Sequence, residues 1–68
     1  MSKYKVSWGW FDGEENQDEY DDYDEAYESF LECQDGYEHP EWAILYRIDK
    51  SGGLHRIKRY SVLPGYFL

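Results

Sequence analysis

The sequence predicts a single small α+β domain of β-α-β-β order, with one amphipathic helix packed on a three-stranded antiparallel sheet. Three observations predict it: period-two alternation from Tyr4 to Phe11, apolar residues three and four apart from Tyr23 to Leu31, and two strand-like runs around Lys50-Ser51-Gly52-Gly53. One helix between strands gives a two-layer solution, helix on one sheet face.

The first strand, about 4–11, places Tyr4, Val6, Trp8 and Trp10 on one parity and Lys5, Ser7, Gly9 and Phe11 on the other. Asp12-Gly13 follows as a turn, because Asp bonds its own backbone and Gly tolerates positive φ. Residues 12–20 read as an acidic loop. The helix, about 21–35, directs Tyr23, Ala26, Tyr27, Phe30 and Leu31 at the sheet. Asp22 with Glu25 gives a start like a capping box, and the early acids suit the positive end of the helix dipole. Gly36 fits the left-handed position after the last turn, with Tyr37 folding back on Leu31.

Tyr37 to Pro40 reads as a connector, since the residue before proline is pushed out of the helical region. Strands at about 41–49 and 54–62 complete the fold as a hairpin. A three-residue loop, Ser51 to Gly53, would set Trp42 opposite Val62 and Ile44 opposite Tyr60; a two-residue loop would oppose Arg47 and Arg56, which like charge disfavours. The three-residue loop is therefore expected. Leu63 to Leu68 turns away to cover a sheet edge.

At 68 residues the chain is one domain with a small core, and it has one cysteine, so no disulfide framework. The lone thiol fits a reducing compartment, and neither a signal peptide nor a membrane span is legible. A cytoplasmic location is expected, the host cytoplasm if the chain is phage-encoded. Three Trp, eight Tyr and three Phe argue against an acidic disordered chain, which is normally poor in aromatics. Aromatics also bring much apolar area on few rotatable bonds, as a tiny core requires.

Charge is segregated. Residues 1–11 carry plus two, residues 12–41 carry fourteen acids with no Lys or Arg, and residues 42–68 carry plus four, which gives the net −8. If the apolar stripe of the helix faces inward, Asp21, Asp24, Glu25, Glu28 and Glu32 form one outward band. Their spacing, about one carboxylate per 4 Å of axis, approaches the roughly 3.4 Å per phosphate of a nucleic-acid strand. Asp12, Glu14, Glu15, Asp18 and Glu19 are expected to extend that surface, with Tyr20 and its neighbour Tyr23 available to stack on arginine. Such crowding costs stability, and no Lys or Arg is interleaved to relieve it. A cationic site on another molecule would offset the cost. The competing reading is a solubilising face, neutralised by Arg47, Arg56, Lys58 and Arg59 within the fold or across a homodimer.

Other chemistries fit less well. An EF-hand loop begun at Asp12 has Gln17 where Gly belongs and Tyr23 where Glu belongs. Cys33, His39 and His55 lack paired zinc spacing, and a convex acidic helix offers no pocket that would drive the pKa values of neighbouring carboxyl groups apart. Neither a catalytic residue, a metal ligand nor a cofactor is assigned. His55 to Tyr60, HRIKRY, interleaves cations and aromatics, yet a chain at −8 would be repelled by nucleic acid. An exposed strand whose cations discourage edge aggregation is the simpler reading.

In length, charge and helix-face acidity the chain resembles the small phage-encoded proteins that imitate DNA to block restriction enzymes, CRISPR effectors or other nucleic-acid-binding proteins. The resemblance implies a non-enzymatic inhibitor whose partner is a basic nucleic-acid-binding protein, with no direct nucleic-acid or membrane binding. Glu14, Glu15, Asp18, Glu19, Asp21, Asp24, Glu25, Glu28 and Glu32 would carry the contact, supported by Tyr20. The alternative is a small adaptor that binds a protein through its aromatic sheet surface.

Overall fold

The structure, a computed structural model, describes residues 2–35 and 40–62, with Gln34 and Asp35 described by backbone alone. The expected connector at 37–39, the helix cap at Gly36 and Tyr37, and the tail 63–68 lie outside the described residues. The elements run β1 (Tyr4–Gly9), β2 (Glu15–Tyr20), α1 (Tyr23–Asp35), β3 (Trp42–Ile48) and β4 (Leu54–Ser61). The α+β class holds, but the sheet has four antiparallel strands in the order β2-β1-β3-β4. The expected loop at 12–20 is largely a strand, so the order is β-β-α-β-β.

Both hairpins use the same turn. Gly13 N–H donates to Trp10 O at 3.2 Å and Trp10 N–H to Glu14 O at 2.9 Å; Gly52 N–H donates to Asp49 O at 3.0 Å and Asp49 N–H to Gly53 O at 2.9 Å. Each loop has three residues ending in a glycine at positive φ, 109° for Gly13 and 87° for Gly52. This three-residue turn, with glycine in the left-handed place, matches the twist of the flanking strands. Because Phe11 to Gly13 is consumed by the first turn, β1 stops at Gly9 and not at residue 11.

The second turn also corrects the register. A three-residue loop forms, but over Lys50 to Gly52, which sets Ile48 against Leu54, Arg47 against His55 and Tyr46 against Arg56. The opposition of Arg47 and Arg56 is thereby avoided. A bulge at Ile57 then shifts the ladder by one, so that Ile44 faces Arg59 and Trp42 faces Ser61 rather than the expected Tyr60 and Val62. Asp49 moves the loop: its Oδ1 accepts from Ser51 N–H at 2.9 Å, Ser51 Oγ at 2.8 Å and Gly53 N–H at 2.8 Å, while Oδ2 lies 2.7 Å from His55 Nε2.

These bonds, His55 foremost, then Ser51 and Gly53, hold the Asp49 carboxyl well below the usual carboxylate range. A pKa lowered on folding contributes stability that is full above the ordinary value and is lost as pH falls below about 4. The Gly53 amide is therefore expected to lose exchange protection on acidification before the β1 amides do. Asp49→Ala should give the same local loss at neutral pH; equal protection in variant and parent would contradict the assignment.

The helix covers one sheet face. Val6, Ala26, Phe30, Cys33, Ala43 and Leu45 form the core, flanked by Tyr4, Trp8, Tyr20, Tyr23, Tyr27 and Tyr60. Tyr4 meets Tyr23 edge-on with ring centres 5.5 Å apart, and Tyr23 stacks on Tyr27 at 5.7 Å, an i,i+4 pair. Leu31, expected inside, is 36% exposed, because Cys33 takes the inward place and leaves Leu31 on the flank. The helix begins at Tyr23, with Ala26 N–H donating to Asp22 O at 3.1 Å, so Asp22 stands at the cap position and Asp21 lies outside the helix.

Cys33 is 8% exposed, and burial first, then the Glu32 carboxylate, pushes its thiol up to about 11. A reactive thiol needs the opposite shift. Modification by a disulfide reagent at neutral pH is expected to be at least about 100-fold slower in the folded chain than in denaturant. Comparable rates would show that the helix end opens readily.

Candidate acidic interface

Two elements carry the acids. On α1, Asp24, Glu25, Glu28 and Glu32 are exposed, and Asp21 just precedes them. At 100° per residue the four on the helix fall within a quarter to a third of its circumference, opposite Ala26, Phe30 and Cys33, and Asp21 stands before the first turn, outside that periodicity. The band follows from core packing: the residues that reach the sheet fix which ones cannot.

On β2 the acids obey another period. Directly opposed residues share a sheet face, so Asp18, opposite Val6, lies on the helix side, while Glu19, opposite Lys5, and Glu15, opposite Gly9, lie on the other. The sequence predicted one continuous surface with the helix. Strand alternation splits it, leaving Asp18 beside the helix layer and Glu15 and Glu19 on the open face. Glu14 is exposed at the turn, and its N–H donates to Asp12 Oδ1 at 3.2 Å.

Tyr20 is half-buried against the core and donates its hydroxyl to Ser29 Oγ at 3.0 Å. It fastens the end of β2 to the middle of α1, so the geometry gives it an anchoring role. Among the described residues, none of the nine acids assigned to the surface has a Lys or Arg nitrogen within 4 Å. Glu19 has Lys5 as its cross-strand neighbour, without a contact that close. Lys58 is turned elsewhere, its Nζ 5.7 Å from the centre of the Tyr27 ring. That contact covers an aromatic on the helix flank and leaves the carboxylates uncompensated.

The remaining face of the sheet is uncovered by α1. Trp42, Ile44, Tyr46 and Leu54 share it with Glu15 and Gln17 around an open groove of about 330 Å³. Trp42 packs over the backbone of Gly9, its pairing partner, on this face and away from the helix-side core. Trp8 does reach the helix-side core. The continuous apolar run Trp42 to Tyr46 is the sequence signal that could have marked this second apolar face, since Trp42, Ile44 and Tyr46 alternate with the core residues Ala43 and Leu45 and a one-sided strand would alternate with polar residues.

Among the described residues there is no group of three or more His, Cys, Asp or Glu side chains placed to hold a metal ion, and no helix is long and apolar enough to cross a membrane. No protein-family model matches the sequence, and neither a curated protein nor a solved structure is similar to it.

Proposed function

We propose that the protein is a non-enzymatic acidic inhibitor whose helix band occupies the nucleic-acid site of a basic partner protein, in the manner of phage or mobile-element proteins directed against host defence. The observation that carries this is the row Asp24, Glu25, Glu28 and Glu32 on an exposed helix face, with Asp21 just before it and, among the described residues, no Lys or Arg nitrogen within 4 Å of any of them. The band presents negative charge at nearly phosphate density on a rigid support. A basic groove would neutralise it, and the field would speed encounter.

Salt should act on the two states with opposite sign. Screening relieves repulsion within the free fold and weakens attraction to the partner. Raising salt from low to physiological strength is expected to raise the melting temperature of the free protein while reducing partner affinity. A melting temperature that falls with salt would mean the carboxylates are matched internally.

The direct test begins with capture from a bacterial lysate of one stoichiometric partner. Excess protein should then displace a nucleic-acid duplex from that partner. A partner that holds duplex and protein together would refute competition for one site.

A second reading rests on the open groove beside Leu54, which is 46% exposed. There the protein is an adaptor that binds through Trp42, Tyr46 and Leu54, and the acids serve solubility. Leu54→Ser would abolish binding under this reading and be nearly silent under the first.

A further inference from the structure

Among the described residues β2 ends the sheet, and no strand of theirs pairs with its outer side. The bond from Trp10 N–H to Glu14 O sets the phase of the β1–β2 ladder, so Asn16, Asp18 and Tyr20 turn their backbone groups toward β1. The N–H and C=O of Glu15, Gln17 and Glu19 therefore point away from the sheet, and no hydrogen bond to them is seen among the described residues. An unpaired edge of this kind is a template for another strand. Its side chains decide which strand. Asp18 stands on the helix side, Glu15 and Glu19 on the open side, and among the described residues no Lys or Arg nitrogen lies within 4 Å of any of them.

We propose that β2 accepts an extended basic segment of the partner protein as a fifth strand, with Lys or Arg opposite Glu15, Asp18 and Glu19. This deepens the function proposed above and rests on its reading of the partner as basic. A second copy of β2 is a poor occupant, since antiparallel pairing about Gln17 opposes Glu15 with Glu19 twice, and directly opposed like charges are unfavourable. An apolar strand gains little, because β2 before Tyr20 has no apolar side chain. A basic strand gains both main-chain bonds and cross-strand ion pairs. Matching the faces requires two adjacent cations, two intervening residues and a third cation.

The probe is a capped peptide, Thr-Lys-Lys-Thr-Val-Lys-Thr, titrated into the isotope-labelled protein at physiological salt. The expected shifts map to Glu15–Tyr20 and not to α1. Gln17→Pro removes an outward N–H and leaves the β1 ladder intact, as proline is tolerated on an edge strand. It should weaken the peptide by about tenfold or more, and so should N-methylation of the peptide residue opposite Gln17, which leaves the protein unaltered. Equal binding with either change, shifts confined to the helix, or no binding at millimolar peptide would overturn the proposal. Self-association of the protein alone that Gln17→Pro abolishes would also overturn it, by making a second copy the occupant. The variant Glu25→Lys/Glu28→Lys/Glu32→Lys should still bind the peptide. Its effect on the native partner tests the helix band alone, so the two readings fail separately.

Discussion

Glu25→Lys, Glu28→Lys and Glu32→Lys together are expected to abolish binding to the native partner while leaving the domain folded and no less stable. All three side chains are exposed, and none bonds to the core, so reversal creates neither a cavity nor a buried charge. In the parent, Glu28 has Asp24, Glu25 and Glu32 three or four residues away, each a like-charge neighbour that costs a few tenths of a kcal/mol. Reversal turns the contact of Asp24 with residue 28 into an attraction. The helix dipole favours the cation at residue 32, in a last turn without a basic residue, and disfavours the one at residue 25, in the first turn, so its contributions largely cancel. Against the gain at residue 28, the new lysines repel one another at the same spacing. The net change on the free protein is expected to be small or favourable, on the order of 1 kcal/mol. Binding reads the opposite sign, because three attractions to a basic groove become three repulsions. Partner affinity measured beside the melting temperature checks both halves. Unchanged affinity would remove the helix band from the interface.

What the sequence showed of this arrangement depends on how each element declares itself. α1 was legible because its core side chains recur at helical spacing, and the placement of Asp24, Glu25, Glu28 and Glu32 followed from that. β1 was legible because Tyr4, Val6 and Trp8 alternate. β2 was not, because an edge strand is held mainly by its backbone ladder, and ENQDE offers no apolar alternation to reveal it. Tyr20, read as a solvent-facing contact among acids, is the one side chain that ties β2 inward, and a lone tyrosine in an acidic run does not announce such a role. The hairpin register was missed for a related reason. Asp49 draws Ser51, Gly53 and His55 to itself, which sets the loop one residue earlier, and a bulge at Ile57 shifts the register again beyond Tyr46. Side-chain capping of a turn of this kind leaves no periodic trace.

Gly9→Ala should lower the melting temperature by roughly 4–24 °C, although Gly9 has an ordinary backbone conformation. A Cβ there would lie 2.2 Å from Glu14 O, 2.9 Å from Glu15 Cα and 2.9 Å from Trp42 Cζ2. Two of these atoms are backbone, so a rotamer change cannot clear them. Either the β1–β2 turn opens or Trp42 and β2 both move outward. Overpacking of this kind costs about 1–3 kcal/mol, and a 68-residue domain has about 3–10 kcal/mol in all. For a domain this small each kcal/mol is worth about 4–8 °C, which sets the expected fall. The site suffers more than the stability figure suggests. Gly9 pairs with Glu15 on one side and Trp42 on the other, so the same glycine seats the acidic edge strand and the aromatic of the open face. Peptide capture at β2 should weaken in Gly9→Ala even at temperatures where the core stays folded, whereas the helix band, anchored through Ala26, Phe30 and Cys33, should keep its partner. A melting temperature within about two or three degrees of the parent, with β2 amides as well protected as before, would show that the turn yields without cost and that close approach at Gly9 does not position the edge.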